Sequence, residues 1–193
     1  AQTMARAARL GVGIGAHPGF ADLQGFGRRR VKLPAESLAN LVKYQVAAAQ
    51  GMARAAGAEL AHVKLHGAMS NMSSEDGEMA RVAYAAAAEI APDVPMVVLA
   101  ATPQQEACEA LGIPFAAEIF ADRAYNEDAT LVDRSLPGAM IHDPLHAAER
   151  IVAMVQDGAI HTATGKRIET RIDTICTHGD TPEAIAIARH LRA

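Results

Sequence analysis

Seven polar side chains stand where apolar runs of this sequence give way to loops, and their types suit acid–base work on a small anionic substrate. His17 closes the run VGIGA, and the following Pro18 biases it toward extended backbone. HVKLHG carries Lys64 and His66, EIFAD brings Glu118 and Asp122 to the end of another run, and TICTHGD ends in His178 and Asp180. An imidazole can take a proton from water near neutral pH. A carboxylate can orient that imidazole, accept a proton or bind a cation. A lysine ammonium drawn out of water calls for a carboxylate or an anionic substrate, because isolated burial would strip its charge. These seven residues are the candidate catalytic set.

Four further residues suit substrate binding. Arg28 opens the triplet Arg28, Arg29, Arg30 after a turn made flexible by Gly25 and Gly27, and its guanidinium fork matches phosphate or carboxylate. Asn71 offers an amide to a substrate oxygen. Arg123 either pairs with Glu118 and Asp122 or meets an anion. Arg134, with Ser135 before Pro137-Gly138, forms an anion clamp in a loop long enough to act as a lid.

Elements that would position these groups follow from the hydrophobic pattern. Short apolar runs at Val12–His17, Leu60–His66, Pro95–Ala101, Phe115–Ala121 and Asp173–His178 read as five strands. Helical periodicity marks about Ala35–Ala56, begun by Pro34, then Ser74–Ile90 with Ser74 as N-cap, Pro103–Leu111, Pro144–Gln156 and Pro182–Leu191. The stretch from Gly158 to Arg171 reads as a hairpin about Thr164-Gly165. Alternation of strands and helices predicts α/β architecture with parallel strands, either a (β/α) barrel or an open doubly wound sheet. In both, chemistry gathers at the carboxyl ends of the strands. Period-two alternation places His62, Lys64 and His66 on one side of their run and Glu118, Phe120 and Asp122 on one side of theirs. Residues 1–10 read as the last turns of an amphipathic helix ended at Gly11, so we expect an N-terminal piece to be missing.

Composition narrows the classes. The 193 residues suit a single domain, and half are hydrophobic, enough to bury a core without disulfide or metal staples. A net charge of −4, with both signs interspersed, argues against nucleic acid or an anionic membrane as partner. Cys108 and Cys176 lie in unrelated segments without CxxC spacing, which fits a cytoplasmic protein. No apolar run approaches the roughly 20 residues needed to cross a bilayer. G-x-S-x-G, Walker A, GxGxxG and HExxH are all absent. Hydrolysis by acid–base catalysis is the chemistry left, with a divalent metal as an option.

The strings IGAHPGFADLQGFGRR, VKLHGAMSN, EIFADRAYNEDATLVDRSLPGAMI and DTICTHGDTP, in that order and spanning the chain, resemble the LamB/YcsF family. The resemblance implies a single (β/α) barrel domain over residues 1–193 with fewer than eight strands. Its shape would be deacetylase/glycoside-hydrolase-like, here lacking its N-terminal portion. It further implies ATP-dependent opening of 5-oxoproline to L-glutamate, performed with two other 5-oxoprolinase subunits; a homo-oligomer is left open. On that reading Lys64, Arg123 or Arg134 binds the carboxylate or a phosphorylated lactam oxygen. His17, His66 or His178 with Asp180 activates water. The family's opening Asp-Leu-Asn-Cys-Asp-Leu-Gly-Glu-like strand and its Gly-Phe-His-Ala-Gly-Asp-like segment are not in this sequence. Leu65 stands where many relatives have proline, and Met69-Ser70 where they often have Leu-Tyr. Two alternatives stand beside this: a metal-dependent deacetylase or amidohydrolase acting on a carbohydrate or amide, with His17, His66 and Asp180 as metal ligands, and a non-catalytic subunit that binds a small acid.

Overall fold

A computed structural model describes residues 1–178 and 183–192. The chain divides into two compact units: Ala1–Val98 with Pro103–Phe115, and Leu99–Thr102 with Ala116–Ala193.

In the first unit, α1 (Gln2–Arg9) precedes β1 (Ile14–Ala16), α2 (Ala35–Ala55), β2 (Leu60–Lys64), α3 (Gly67–Glu75), α4 (Gly77–Ile90), β3 (Met96–Leu99) and α5 (Pro103–Leu111). The strands run parallel in the order β1-β2-β3, with Ile14 opposite Leu60 and Val63 opposite Met96. Helix α2 buries Leu38, Val42, Val46 and Ala53, a stripe at helical spacing. Helix α4 buries Ala80, Ala83, Tyr84, Ala86 and Ala87. Both stripes join one core with Val63, Leu65, Met69 and Met96. A polar bridge crosses this core. Gln104, only 1% exposed, accepts from the Tyr84 hydroxyl at 2.9 Å and donates to the Ser70 carbonyl at 2.6 Å.

The expected helix over Ser74–Ile90 is two helices. The Ser74 hydroxyl donates to the Asn71 carbonyl at 2.7 Å, so it does not cap. Asp76 caps α4 instead, its carboxylate accepting from the amides of Glu78 and Met79 at 3.0 and 3.1 Å. The preceding α3 begins directly after His66, through Gly67 at φ +55°. A Cβ there would stand 2.6 Å from the Gly27 carbonyl oxygen, so a side chain at this position would be both strained and obstructed.

In the second unit, β4 (Phe115–Phe120) lies parallel to β7 (Thr174–Cys176), with Glu118 opposite Thr174 and Phe120 opposite Cys176. Between them come the loop after β4, α6 (Pro144–Asp157) and the antiparallel hairpin of β5 (Ala159–His161) and β6 (Arg167–Glu169); α7 (Ala184–Arg192) follows β7. Asp143 caps α6 by accepting from the His146 amide at 2.7 Å. The loop is pinned by Tyr125, whose buried hydroxyl accepts from the Phe120 amide at 2.7 Å. Burial pushes that phenol pKa upward.

Parallel α/β architecture and the hairpin thus match the sequence reading, but the five parallel strands are shorter than expected. The difference is informative. His17 lies one residue beyond β1, while His66, Asp122 and His178 each lie two residues beyond β2, β4 and β7. Among the described residues no helix is long and apolar enough to cross a membrane.

The polar bridge gives a stability test. Replacing Gln104 with leucine deprives the buried Tyr84 hydroxyl and Ser70 carbonyl of a shared partner. We expect a loss of about 1–3 kcal/mol, measured as the shift in urea midpoint at unchanged slope.

Candidate functional site

The first unit holds a chain of three short contacts through two imidazoles. His17 Nδ1 lies 2.7 Å from the Lys64 carbonyl oxygen, His17 Nε2 lies 3.0 Å from His66 Nδ1, and His66 Nε2 lies 2.6 Å from the Phe26 carbonyl oxygen. The rings meet edge to face at 4.8 Å between centroids. Glycines make room for them. A Cβ on Gly19 would come within 3.1 Å of His66 Cδ2, and one on Gly27, itself at φ +67°, within 2.8 Å. Burial lowers the His17 pKa to about 4, and neighbouring His66, Lys64 and His62 add to that effect against the hydrogen bond to Lys64. His62 is likewise lowered, first by burial and then by Lys64.

The loop between β1 and α2 distributes its three arginines over three tasks. Arg28 places its guanidinium 5.5 Å from the Phe26 ring centroid. Arg29 forms a forked ion pair with the buried Asp22, whose carboxyl also accepts from the Gly25 amide at 3.0 Å. That pairing holds Asp22 down to about 2. Arg30 pairs with Glu75. Asn71 falls within α3, half-buried, with its carbonyl taken by Ser74. Lys64 is half-buried at the end of β2.

The second unit holds a carboxylate–imidazole pair. Asp122, 3% exposed, takes His178 Nδ1 at 2.7 and 3.0 Å through its two oxygens. Burial alone would raise the Asp122 pKa; the hydrogen bond and charge of His178 outweigh it, and the net shift is downward. An ionised carboxylate only accepts, so Nδ1 is the donor in this pair and Nε2 is the nitrogen left for proton transfer. Nε2 has no hydrogen bond among the described residues, and the Phe120 ring stacks on the imidazole at 5.5 Å. This is the geometry of an oriented base.

Sequence reasoning gives the orienting role to Asp180, which lies outside the described residues. The carboxylate that orients His178 is Asp122, 56 residues earlier, and no local spacing announces that pairing. Arg123 is expected from the sequence to pair with Glu118 and Asp122 or to meet an anion. Its Nη2 instead donates to the Val132 carbonyl at 2.6 Å, and its buried Nε has no partner among the described residues. Burial, then Arg134, lowers its pKa to about 10. Ser135 donates to Asp133 through both its amide and its hydroxyl. Glu118 is buried in β4.

Sequence reasoning misses Phe26, Asp22 and Arg150. Arg150 of α6 donates to the Phe120 carbonyl at 3.2 Å and lies 5.4 Å from the Tyr125 ring centroid, bracing the backbone just before Asp122. Its Nη2 is also buried without a partner among the described residues. Only its place on α6 would have marked it. Burial pushes the Cys108 thiol up to about 12, which rules it out as a nucleophile. Among the described residues no three histidine, cysteine or carboxylate side chains gather as a metal-holding group.

Known proteins agree with the strand-end strings. The LamB/YcsF family matches residues 1–193. The chain is 60% identical over 193 residues to the 5-oxoprolinase A subunit of Ruegeria pomeroyi, covering all of this chain and 76% of that protein. It is 53% identical over the same length to the protein of that name from Rhodopseudomonas palustris, again covering 76% of it. Among solved structures, the lactam utilization protein of Thermus thermophilus superposes with a TM-score of 0.87 at 39% identity, covering 99% of this chain and 78% of that one. With the whole chain matched and the fold shared, this protein belongs to the LamB/YcsF family.

Proposed function

We propose that this chain acts as the A subunit of a cytoplasmic 5-oxoprolinase, opening the lactam of 5-oxoproline to L-glutamate with ATP and two other subunits. The carrying observation is its 60% identity, over all 193 residues, to a protein described as the A subunit of 5-oxoprolinase.

The chemistry explains the need for ATP. A five-membered lactam is an unstrained, resonance-stabilised amide, and its tethered amine re-closes on the carboxyl with high effective molarity. Phosphoryl transfer, supplied when ATP and the partner subunits are present, removes that obstacle. This chain carries no Walker A loop. Its own groups suited to an anionic oxygen are Arg123, whose buried Nε has no partner among the described residues, and the Lys64 ammonium.

The base in this reading is His178. Asp122 holds Nδ1–H, which leaves Nε2 as the nitrogen to take a proton from water, and Asp122 stabilises the imidazolium that results. Arg150 steadies the backbone that carries Asp122, which makes it a positioning residue.

Turnover by the full-length protein assembled with its partners tests both levels. With ATP and 5-oxoproline the assembly should form glutamate, and none would overturn the functional reading. Asp122→Asn and His178→Gln should each lower glutamate formation by about 10²-fold or more. Near-normal rates in both would remove the pair from the mechanism.

Asp122 also makes a prediction about stability. Its folded pKa is lowered, so its ionised form stabilises the fold above the ordinary aspartate value of about 3.9, and this contribution vanishes as pH falls through the lower folded value. Asp122→Asn should therefore be less stable than the parent at pH 7 and converge on it in acid. Denaturant midpoints at several pH values read this directly.

A further inference from the structure

We propose that Phe26 is a positioning residue for His66, its aromatic ring held against that imidazole by a left-handed backbone that the loop maintains at a cost. Among the described residues three non-glycines take positive φ: Phe26 at 53°, Ala101 at 57° and Ala129 at 66°. Two are alanines. Phe26 alone is bulky, and a bulky side chain in this region is an outlier because its Cβ crowds the following carbonyl oxygen.

Burial does not offset that cost. The Phe26 side chain is exposed, the residue as a whole by 67%, so it adds little to the core. Glycine, which takes this conformation freely, stands at both neighbouring positions but not at 26. What the conformation achieves is local: it brings two parts of one residue onto one imidazole. The Phe26 and His66 rings lie 5.2 Å apart between centroids with their planes at 88°, and the Phe26 carbonyl oxygen lies 2.6 Å from His66 Nε2. Near-perpendicular ring contact is favourable and directional.

The surrounding loop is overdetermined, as persistent strain requires. Asp22 accepts from the Gly27 amide through its carbonyl at 2.9 Å and from the Gly25 amide through its carboxylate at 3.0 Å. The Arg28 amide donates to the Gly25 carbonyl and the Ala68 amide to the Gly27 carbonyl, both at 2.9 Å. Phe26 cannot relax without breaking these bonds. A side chain held in one geometry serves catalysis better than a free one. That use rests on the lactam-opening reading, in which His66 is a candidate catalytic group; the strain and the ring contact do not.

Two substitutions in the full-length protein separate the ring from the backbone. Asparagine tolerates the left-handed region, so Phe26→Asn keeps the turn and its carbonyl without the ring, while Phe26→Tyr keeps both. Phe26→Asn should unfold at a urea midpoint no lower than the parent's; a lower one would make the ring a stabilising contact and overturn the proposal. In the assembly supplied with ATP and 5-oxoproline, Phe26→Asn should lower kcat by about tenfold at unchanged KM, and Phe26→Tyr should recover most of that loss. In a His66→Gln background Phe26→Asn should have no further effect, because the ring acts through the imidazole. Additive losses, a raised KM at parental kcat, or full activity in Phe26→Asn would each overturn the proposal. A parent assembly that forms no glutamate would instead overturn the lactam-opening reading. The positioning role then still has its own readout: ¹³C relaxation of the His66 ring, assigned with His66→Gln, should show a more mobile imidazole in Phe26→Asn than in the parent, and equal order would overturn it.

Discussion

Backbone pairing in the parallel strands sets the limit on which everything else depends. A strand buried on both faces tolerates few polar side chains, so polarity resumes where the ladder stops. Here the ladders are short: three residues in β1 and β7, five in β2 and six in β4. The candidate imidazoles and Asp122 fall one or two residues past them. At that distance a side chain has left the pleat but is still held by a rigid element. Backbone carbonyls freed from the ladder become its partners, as the Lys64 oxygen does for His17.

Close approach is the second requirement, and glycine meets it. His66 is packed between Gly19 and Gly27, and α3 can begin immediately after it because Gly67 takes a left-handed turn over the Gly27 carbonyl. The ion pair of Asp22 with Arg29 closes the same loop on itself. Apolar packing has little part in that loop's tip, where Leu23 is 91% exposed and Phe26 is 67% exposed. Its shape is set by hydrogen bonds and charge.

Much of this is legible in the sequence. The parallel α/β class, the hairpin at Thr164-Gly165 and the strand-end placement of His17, His66, Asp122 and His178 all follow from periodicity and composition. The helix boundary at Asp76 is not legible, since aspartate and serine cap about equally well and what excludes Ser74 is that its hydroxyl turns back on its own chain. Long-range partnership is not readable. Nothing near His178 in the chain points to Asp122, and adjacency favours Asp180. The separate tasks of Arg28, Arg29 and Arg30 are equally hidden, because a run of identical side chains says nothing about which neighbour each will meet.

Partner chemistry then separates residues of one type. His178 faces a carboxylate on one nitrogen, which makes that nitrogen the donor and leaves the other outside the pair. His17 and His66 face carbonyls on their outer nitrogens and each other on their inner ones. A carboxylate favours the protonated form of the ring it faces, and a neutral carbonyl supplies no such charge, so the atoms opposite each imidazole set what it can do. Three strand-end histidines that look equivalent in the sequence are thereby sorted into two settings by the atoms opposite them.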